Sequence, residues 1–129
     1  MRSHLDVSRD LAASPAAAWG VLTDTRSWPA WGPSVAEVRT EPPVLAAVGQ
    51  RGQLRGPVGP WVPFEITGFD PGSRWTWRVA GIAATGHRVE PRPDGCRVVF
   101  EVPRLAAPYA AVCRVALRRI AALVEDPAG

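Results

Sequence analysis

A chain of 129 residues is long enough for one domain with a true interior, and such a domain buries about two-thirds of its unfolded surface. Hydrophobic residues make up 47% of the sequence and charged residues 21%, which are the proportions of an ordinary globular protein. All 15 basic residues are arginine, which excludes lysine Schiff-base chemistry. The net charge is only +3, and the sequence has no basic run interleaved with aromatic residues, so a nucleic-acid partner is not expected.

The sequence carries no recognisable targeting or membrane-spanning segment. Its apolar stretches are far shorter than the ~20 residues that cross a bilayer, and the segment from Met1 to Asp6 lacks an apolar signal core. We therefore predict a cytoplasmic protein without membrane insertion. Cys96 and Cys113 are far apart in the sequence, and we expect two reduced, buried thiols.

The first half of the chain predicts strands around one short helix. Residues Leu5–Leu11 alternate between apolar and polar side chains, as a strand does. Ser14 is a suitable N-cap for a helix over Pro15–Thr23, because proline at the first helical position loses no hydrogen bond. An irregular loop with two tryptophans follows, and further strands are predicted at Ser34–Thr40 and Gln50–Arg55.

The second half predicts two hairpins and a long helix. Turn motifs at Asp70-Pro71-Gly72-Ser73 and Pro93-Asp94-Gly95 separate four strands, at Phe64–Phe69, Trp75–Val79, Gly86–Glu90 and Arg97–Val102. After Pro103 the apolar residues recur every three or four positions, at Tyr109, Val112, Cys113, Ala116, Ile120 and Leu123. We therefore predict one amphipathic helix that ends near Asp126-Pro127, and no second domain.

Alternation along these strands predicts which face of the sheet the helix covers. The inward residues are Phe64, Ile66, Trp75, Trp77, Val79, His87, Val89, Val98, Phe100 and Val102. The outward residues are Glu65, Thr67, Thr76, Arg78, Arg88, Glu90, Arg97 and Glu101. We expect the outward set to form a solvated ladder of opposite charges.

Several segments resemble a known family. They are Ala13-Ser14-Pro15, Trp19–Asp24, Trp28-Pro29-Ala30-Trp31, Val48–Gly52, Phe64–Trp75, His87–Pro91 and Asp94–Val98. Together they are similar to the START-like, or SRPBCC, superfamily, and most of all to its polyketide cyclase/dehydrase branch. The resemblance covers almost the whole chain and implies one START-like ligand-binding domain over residues 1–129.

The fold that this resemblance implies is an α+β helix-grip fold. A curved antiparallel sheet of about seven strands would wrap around a long C-terminal helix, with short helices after the first strand. An interior cavity would lie between sheet and helix. Its ligand-binding residues would be Trp28, Trp31, Phe64, Ile66, Trp75, Trp77, Val89, Phe100 and Val112, although Trp28 and Trp31 could instead plug the end of the sheet.

Three residues are candidates for catalysis, and each has a structural alternative. His87 could be a general acid or base, or a structural histidine bonded to backbone or water. Tyr109 could bring its hydroxyl into the cavity, or pack in the core with the hydroxyl at the rim. Arg9 shares the parity of inward residues in the first strand, but an arginine at a strand end more often extends into solvent.

We expect no cofactor and no metal site. The sequence has no nucleotide-binding glycine motif and no nucleophile elbow, and only His4 and His87 offer imidazole ligands. Most acidic residues fall on the outward face or in turns, so paired carboxylates inside a cavity are not expected.

Three functions remain open at this point. The first is binding of a hydrophobic, aromatic or polycyclic small molecule by a monomer or homodimer. The second is an aromatase/cyclase, in which the cavity folds a polyketide and His87 shuttles protons during aldol closure and dehydration, with Arg9 or Tyr109 stabilising an enolate. The third is an interaction domain whose cavity has collapsed.

Overall fold

The structure, a computed structural model, describes residues 4–125. Its strands are β1 (His4–Leu11), β2 (Glu37–Thr40), β3 (Arg51–Arg55), β4 (Val62–Asp70), β5 (Arg74–Val79), β6 (Ile82–Arg92) and β7 (Gly95–Pro103). Its helices are α1 (Pro15–Thr23), α2 (Trp28–Trp31) and α3 (Ala110–Val124), with 3-10 turns at Thr25–Ser27 and Arg104–Tyr109. The predicted end of the last helix near Asp126-Pro127 lies outside the described residues.

All strand pairs are antiparallel, and the seven strands form one sheet in the order β1-β7-β6-β5-β4-β3-β2. Helix α3 packs across the inner face of this open, curved sheet, and α1 and α2 follow β1. The predicted α+β helix-grip architecture is confirmed. Within residues 4–125, no helix is long and apolar enough to cross a membrane.

Local sequence signals located α1 well. The Ser14 side chain accepts a hydrogen bond from the Ala17 backbone nitrogen at 3.1 Å, and the helix spans Pro15–Thr23 as predicted. The following segment differs from its prediction, because Trp28–Trp31 forms a single helical turn and not an irregular loop. Proline at the second position of this turn is compatible with helix geometry.

Strand β6 begins at Ile82, earlier than predicted from the sequence. Ala80 and Gly81 form the turn from β5, with φ angles of 52° and 78°. Alanine is rare at positive φ, so this dipeptide does not stand out as a turn in the sequence. The earlier start adds Thr85 to the strand, two residues before His87 and on the same face.

The predicted inward face is confirmed, since its members are buried or pack against the core. A register shift between Ile66 and Gly68 changes the pattern in β4. It brings Phe69 into contact with Trp19, with ring centroids 5.7 Å apart. A bulge of this kind inverts the alternation downstream of it, which the sequence does not reveal.

The prediction that the whole outward set is solvated is wrong for Glu101, which is only 6% exposed. Its carboxylate accepts hydrogen bonds from Arg74 at 2.6 Å and from Arg88 at 2.7 Å. Gly86 lies directly opposite Glu101 in the β6–β7 pair, and a side chain there would collide with this carboxylate. Burial by itself raises the pKa of Glu101. The two arginines lower it by more than burial raises it, and the resulting pKa is about 2.

The inner face of α3 is built from residues that include Cys113, Ala116 and Ile120, as predicted. Leu123, which belongs to the same periodic series, is 50% exposed near the end of the helix. Both cysteines are free and buried, as expected. Burial raises the pKa of Cys113 to about 11, so this thiol is unreactive at neutral pH.

Candidate functional site

A chamber lies between the sheet and α3, and aromatic side chains dominate its walls. It is lined by Trp28, Trp31, Gly32, Pro33, Ser34, Val35, Trp75, Trp77, Thr85, His87, Phe100, Tyr109, Val112, Cys113 and Ala116. Its volume is about 40 Å³, which is room for about one water molecule. The interior therefore exists but is mostly filled by the protein's own side chains.

Trp28 is one of the buried aromatic side chains that occupy the interior. Its ring stacks on Trp75, with centroids 5.5 Å apart and an interplanar angle of 5°. It meets the edge of Trp77 at 5.3 Å, and its indole nitrogen donates to the Leu22 carbonyl at 3.0 Å. Trp28 is the first residue of α2, and α2 packs against α3.

A chain of hydrogen bonds runs through the polar groups of the chamber. The Trp77 indole nitrogen donates to the Thr85 hydroxyl oxygen at 3.1 Å. The Thr85 hydroxyl lies 2.9 Å from His87 Nε2, and His87 Nδ1 lies 3.4 Å from the Trp75 carbonyl oxygen. A carbonyl only accepts, so Nδ1 carries the proton and Nε2 accepts from Thr85.

His87 is held in a neutral, stacked arrangement. Its ring lies 3.9 Å from the Trp75 ring at an interplanar angle of 20°, and the residue is 2% exposed. Burial lowers the pKa of His87 from 6.5 to about 3, and the hydrogen bond to the Trp75 carbonyl only partly offsets this effect. The imidazole is therefore uncharged at neutral pH, with both ring nitrogens already bonded.

Trp75, which lines the chamber, has one polar atom without a partner within residues 4–125. The Trp75 indole nitrogen is buried and has no hydrogen-bond partner among the described residues. A buried N–H without an acceptor is costly, and buried waters usually satisfy such groups.

The larger space is an open groove that adjoins the chamber. Its volume is about 670 Å³. It is lined by Ser34, Val35, Leu54, Trp77, Val79, Ile82, Ala83, Ala84, Thr85, Pro103, Leu105, Ala106 and Tyr109, none of which is charged. Ile82 is 71% exposed and Leu105 is fully exposed at its rim.

Ser34 and Tyr109 mark the boundary between groove and chamber, because both residues line both spaces. Their hydroxyl groups lie 2.6 Å apart, and either can be the donor. Burial raises the pKa of Tyr109, so its hydroxyl stays protonated at neutral pH. This hydrogen bond ties the loop after α2 to the segment that precedes α3.

The predicted site residues fall into three groups. Those that line the chamber are Trp28, Trp31, Trp75, Trp77, Phe100, Val112, His87 and Tyr109. Phe64, Ile66 and Val89 are at most 4% exposed and belong to the packed core instead. Arg9 is exposed and lines a different groove, between β1 and α3.

Thr85 and the apolar residues at the rim of the groove were not among the site residues predicted from the sequence. Thr85 shares the strand face of His87 only because β6 starts at Ile82, and no turn motif in the sequence indicates that start. Ile82 and Leu105 are far apart in the sequence, and only the fold brings them to one groove.

The sequence matches the family of polyketide cyclase / dehydrase and lipid transport proteins over residues 2–125. No curated protein matches it. Among solved structures, protein MLL2253 from Mesorhizobium loti is similar with a TM-score of 0.75 and 17% identity, covering 93% of this chain and 95% of that one. The Aha1 dimer from Colwellia psychrerythraea gives a TM-score of 0.74 and 17% identity, covering 99% of this chain and 100% of that one.

Protein CV1439 from Chromobacterium violaceum is similar at 20% identity with a TM-score of 0.69, covering 98% of this chain and 99% of that one. At these identities the structural matches establish the fold alone. The sequence match extends over nearly the whole chain and agrees with the resemblance seen in its motifs. The protein therefore belongs to the polyketide cyclase / dehydrase and lipid transport family, within the SRPBCC superfamily.

Proposed function

We propose that this protein binds an uncharged, hydrophobic, aromatic or polycyclic small molecule, and that the groove beside the chamber is where most of the ligand lies. The observation that carries the proposal is an apolar groove of about 670 Å³, whose lining in the described part of the chain includes no charged side chain. Small-molecule sites of globular proteins typically have about 300–1,000 Å³ and mostly apolar walls. The domain would act as a monomer or homodimer in the cytoplasm, as a carrier, sequestering protein or sensor.

The exposed side chains at the rim favour this proposal on energetic grounds. Ile82 and Leu105 are 71% and 103% exposed, and a ligand that covers them removes their apolar surface from water. Complete burial of one such side chain contributes about 1.5–3 kcal/mol. A ligand with a carboxylate or ammonium group gains no ion pair in this groove and loses hydration, so uncharged molecules are preferred.

The polar groups at the inner end of the groove favour a ligand with one oxygen acceptor. Ser34 and Tyr109 share a single hydrogen bond, which leaves one of the two hydroxyl protons free for a ligand carbonyl. Thr85 already donates to His87 and accepts from Trp77. The expected ligand is therefore an apolar ring system that carries a carbonyl or hydroxyl group at one end.

Charge placed in the groove should weaken binding. We expect Ile82→Asp and Leu105→Asp each to reduce the affinity for prodan, an uncharged naphthalene ketone, by about tenfold or more, because each removes apolar contact and adds a charge that must be desolvated. Prodan emission reports the affinity directly. The matched control is Val58→Asp, since Val58 is 93% exposed and lies outside the groove.

The same titration contradicts the proposal if neither groove variant weakens prodan binding. Equal prodan affinity in the wild type, Ile82→Asp and Leu105→Asp would mean that the ligand does not use this groove. Tighter binding of 2-naphthoate than of prodan would contradict the expected preference for uncharged molecules. Native mass spectrometry of the protein isolated from its own host would then identify any retained compound.

The hydrogen bonds of His87 argue against the alternative function, a cyclase that uses His87 as its base. A general base needs a free ring nitrogen within reach of the substrate and a pKa near the working pH. Both nitrogens of His87 are bonded within the protein, and its pKa is about 3. Arg9 lines a separate groove and is too remote in this arrangement to share the chamber.

Nuclear magnetic resonance of the imidazole tests this point. We expect the His87 ring nitrogens to report a neutral, Nδ1-protonated tautomer from about pH 8 down to about pH 4, because the pKa is about 3. A His87 titration midpoint near neutrality would instead favour the acid–base role.

A further inference from the structure

A second groove lies between β1 and α3 and shares no lining residue with the ligand groove or the chamber. Its volume is about 620 Å³. It is lined by Asp6, Val7, Ser8, Arg9, Ala111, Arg114, Val115, Leu117 and Arg118. Nothing in the proposed ligand binding uses these residues, so this surface needs an explanation of its own.

The groove follows the free edge of the sheet. Strand β1 is eight residues long and ends the strand order, and within residues 4–125 it pairs only with β7. Four consecutive residues of β1, from Asp6 to Arg9, line the groove, although successive side chains point to opposite faces. Such a lining is typical of a strand edge, where alternate N–H and C=O groups are available to another strand.

The charge of this groove is positive. Arg9, Arg114 and Arg118 are exposed, and within residues 4–125 none of the three forms an ion pair. The acidic residue of the lining, Asp6, is bound to Arg88 at 3.1 Å. Unpaired guanidinium groups next to a strand edge offer charge-assisted hydrogen bonds to carboxylates.

We propose that this groove binds an extended acidic segment of a partner protein, which adds to β1 as a further strand. Arg114 and Arg118 are one helical turn apart, a rise of about 6 Å. Alternate side chains of an extended strand are about 6.6 Å apart, so two carboxylates at alternate positions match the two arginines. Apolar residues of α3 in the floor, such as Val115 and Leu117, suit the aliphatic stems of such side chains.

A peptide titration tests the proposal directly. The probe is the acetylated and amidated peptide Glu-Val-Glu-Val-Glu-Val-Glu with a fluorescent label, and fluorescence anisotropy measures its affinity for the full chain. We expect Arg114→Glu and Arg118→Glu each to weaken binding about tenfold or more. Arg119→Glu is the matched control, because it makes the same charge change on the same helix outside the groove.

Backbone methylation separates strand addition from simple attraction between charges. A strand pairs through the amides of one edge, so N-methylation of the glutamates and N-methylation of the valines should differ in effect by about tenfold or more. Equal affinity of the two methylated peptides overturns the proposal. It is also overturned if Arg119→Glu weakens binding as much as Arg114→Glu, or if pyrophosphate or phosphatidylserine vesicles bind with the expected arginine dependence while the peptide does not.

Discussion

Replacing Glu101 by glutamine should lower the free energy of unfolding at neutral pH by about 3 kcal/mol. The carboxylate is buried and bonded to Arg74 and Arg88, which hold its pKa at about 2 against an ordinary value of 4.5. Glutamine keeps the shape of the side chain but removes the negative charge that pairs with the guanidinium groups of both arginines. Urea denaturation of the two proteins measures the difference.

The stabilisation by Glu101 should also depend on pH in a defined window. Its pKa is lower in the folded state than in the unfolded state, so the stabilisation is complete above about pH 4.5 and is lost as the pH falls towards 2. The stability difference between wild type and Glu101→Gln should therefore shrink over this range.

Glu65→Gln is the matched control for this prediction. Glu65 lies 3.8 Å from Arg51 and 3.7 Å from Arg78 on a more exposed part of the same sheet face. Exposed ion pairs contribute about 0–1 kcal/mol, so this variant should lose little stability. If Glu101→Gln loses no more stability than Glu65→Gln, the buried carboxylate does not have the role that its contacts indicate.

Replacing Trp28 by alanine should lower the free energy of unfolding by about 3–5 kcal/mol and create a binding site for an aromatic guest. Trp28 is 2% exposed and stacks on Trp75, so its loss leaves a space of the size of an indole ring next to the existing chamber. Apolar cavities of this kind bind small aromatic molecules. The melting temperature of Trp28→Ala should therefore rise with increasing indole concentration.

Trp61→Ala removes the same side chain from a different environment. Trp61 is partly buried and lies beneath the Arg39 guanidinium, which is 3.8 Å from its ring centroid. We expect its loss to cost about 1 kcal/mol, with no effect of indole on the melting temperature. Failure of indole to stabilise Trp28→Ala would mean that the neighbouring side chains collapse into the space, and that the chamber cannot open to an aromatic ligand.

Local patterns predicted the architecture of this protein well. The Ser14-Pro15 cap defined α1, turn motifs separated the central strands, and the change from a period of two to a period of three or four located α3. Each of these signals reflects interactions between residues close in sequence. The fold class and the inward face of the sheet therefore followed from the sequence.

The contents of the interior could not be predicted in the same way. The alternation of side chains puts Phe64, Ile66 and Val89 on the face of the sheet that carries the chamber, but they lie in the packed core. Thr85 reaches the chamber because the turn at Ala80 starts β6 early. Alternation assigns a face but not a depth. Whether a side chain lines a cavity or fills it depends on which elements pack against it.

The sequence by itself determined the order of strands and helices and the aromatic inner face, since periodicity and turn chemistry act over a few residues, and the family resemblance implied the helix-grip fold. Only the tertiary structure decided how that face is used. Trp28 is one of the side chains that occupy the interior, the larger apolar space lies outside the Ser34–Tyr109 hydrogen bond, and Arg9 joins two arginines of α3 beside the edge of β1. The volume of a cavity and the clustering of charges depend on side chains from several elements that are distant in the sequence. No local sequence pattern contains this information.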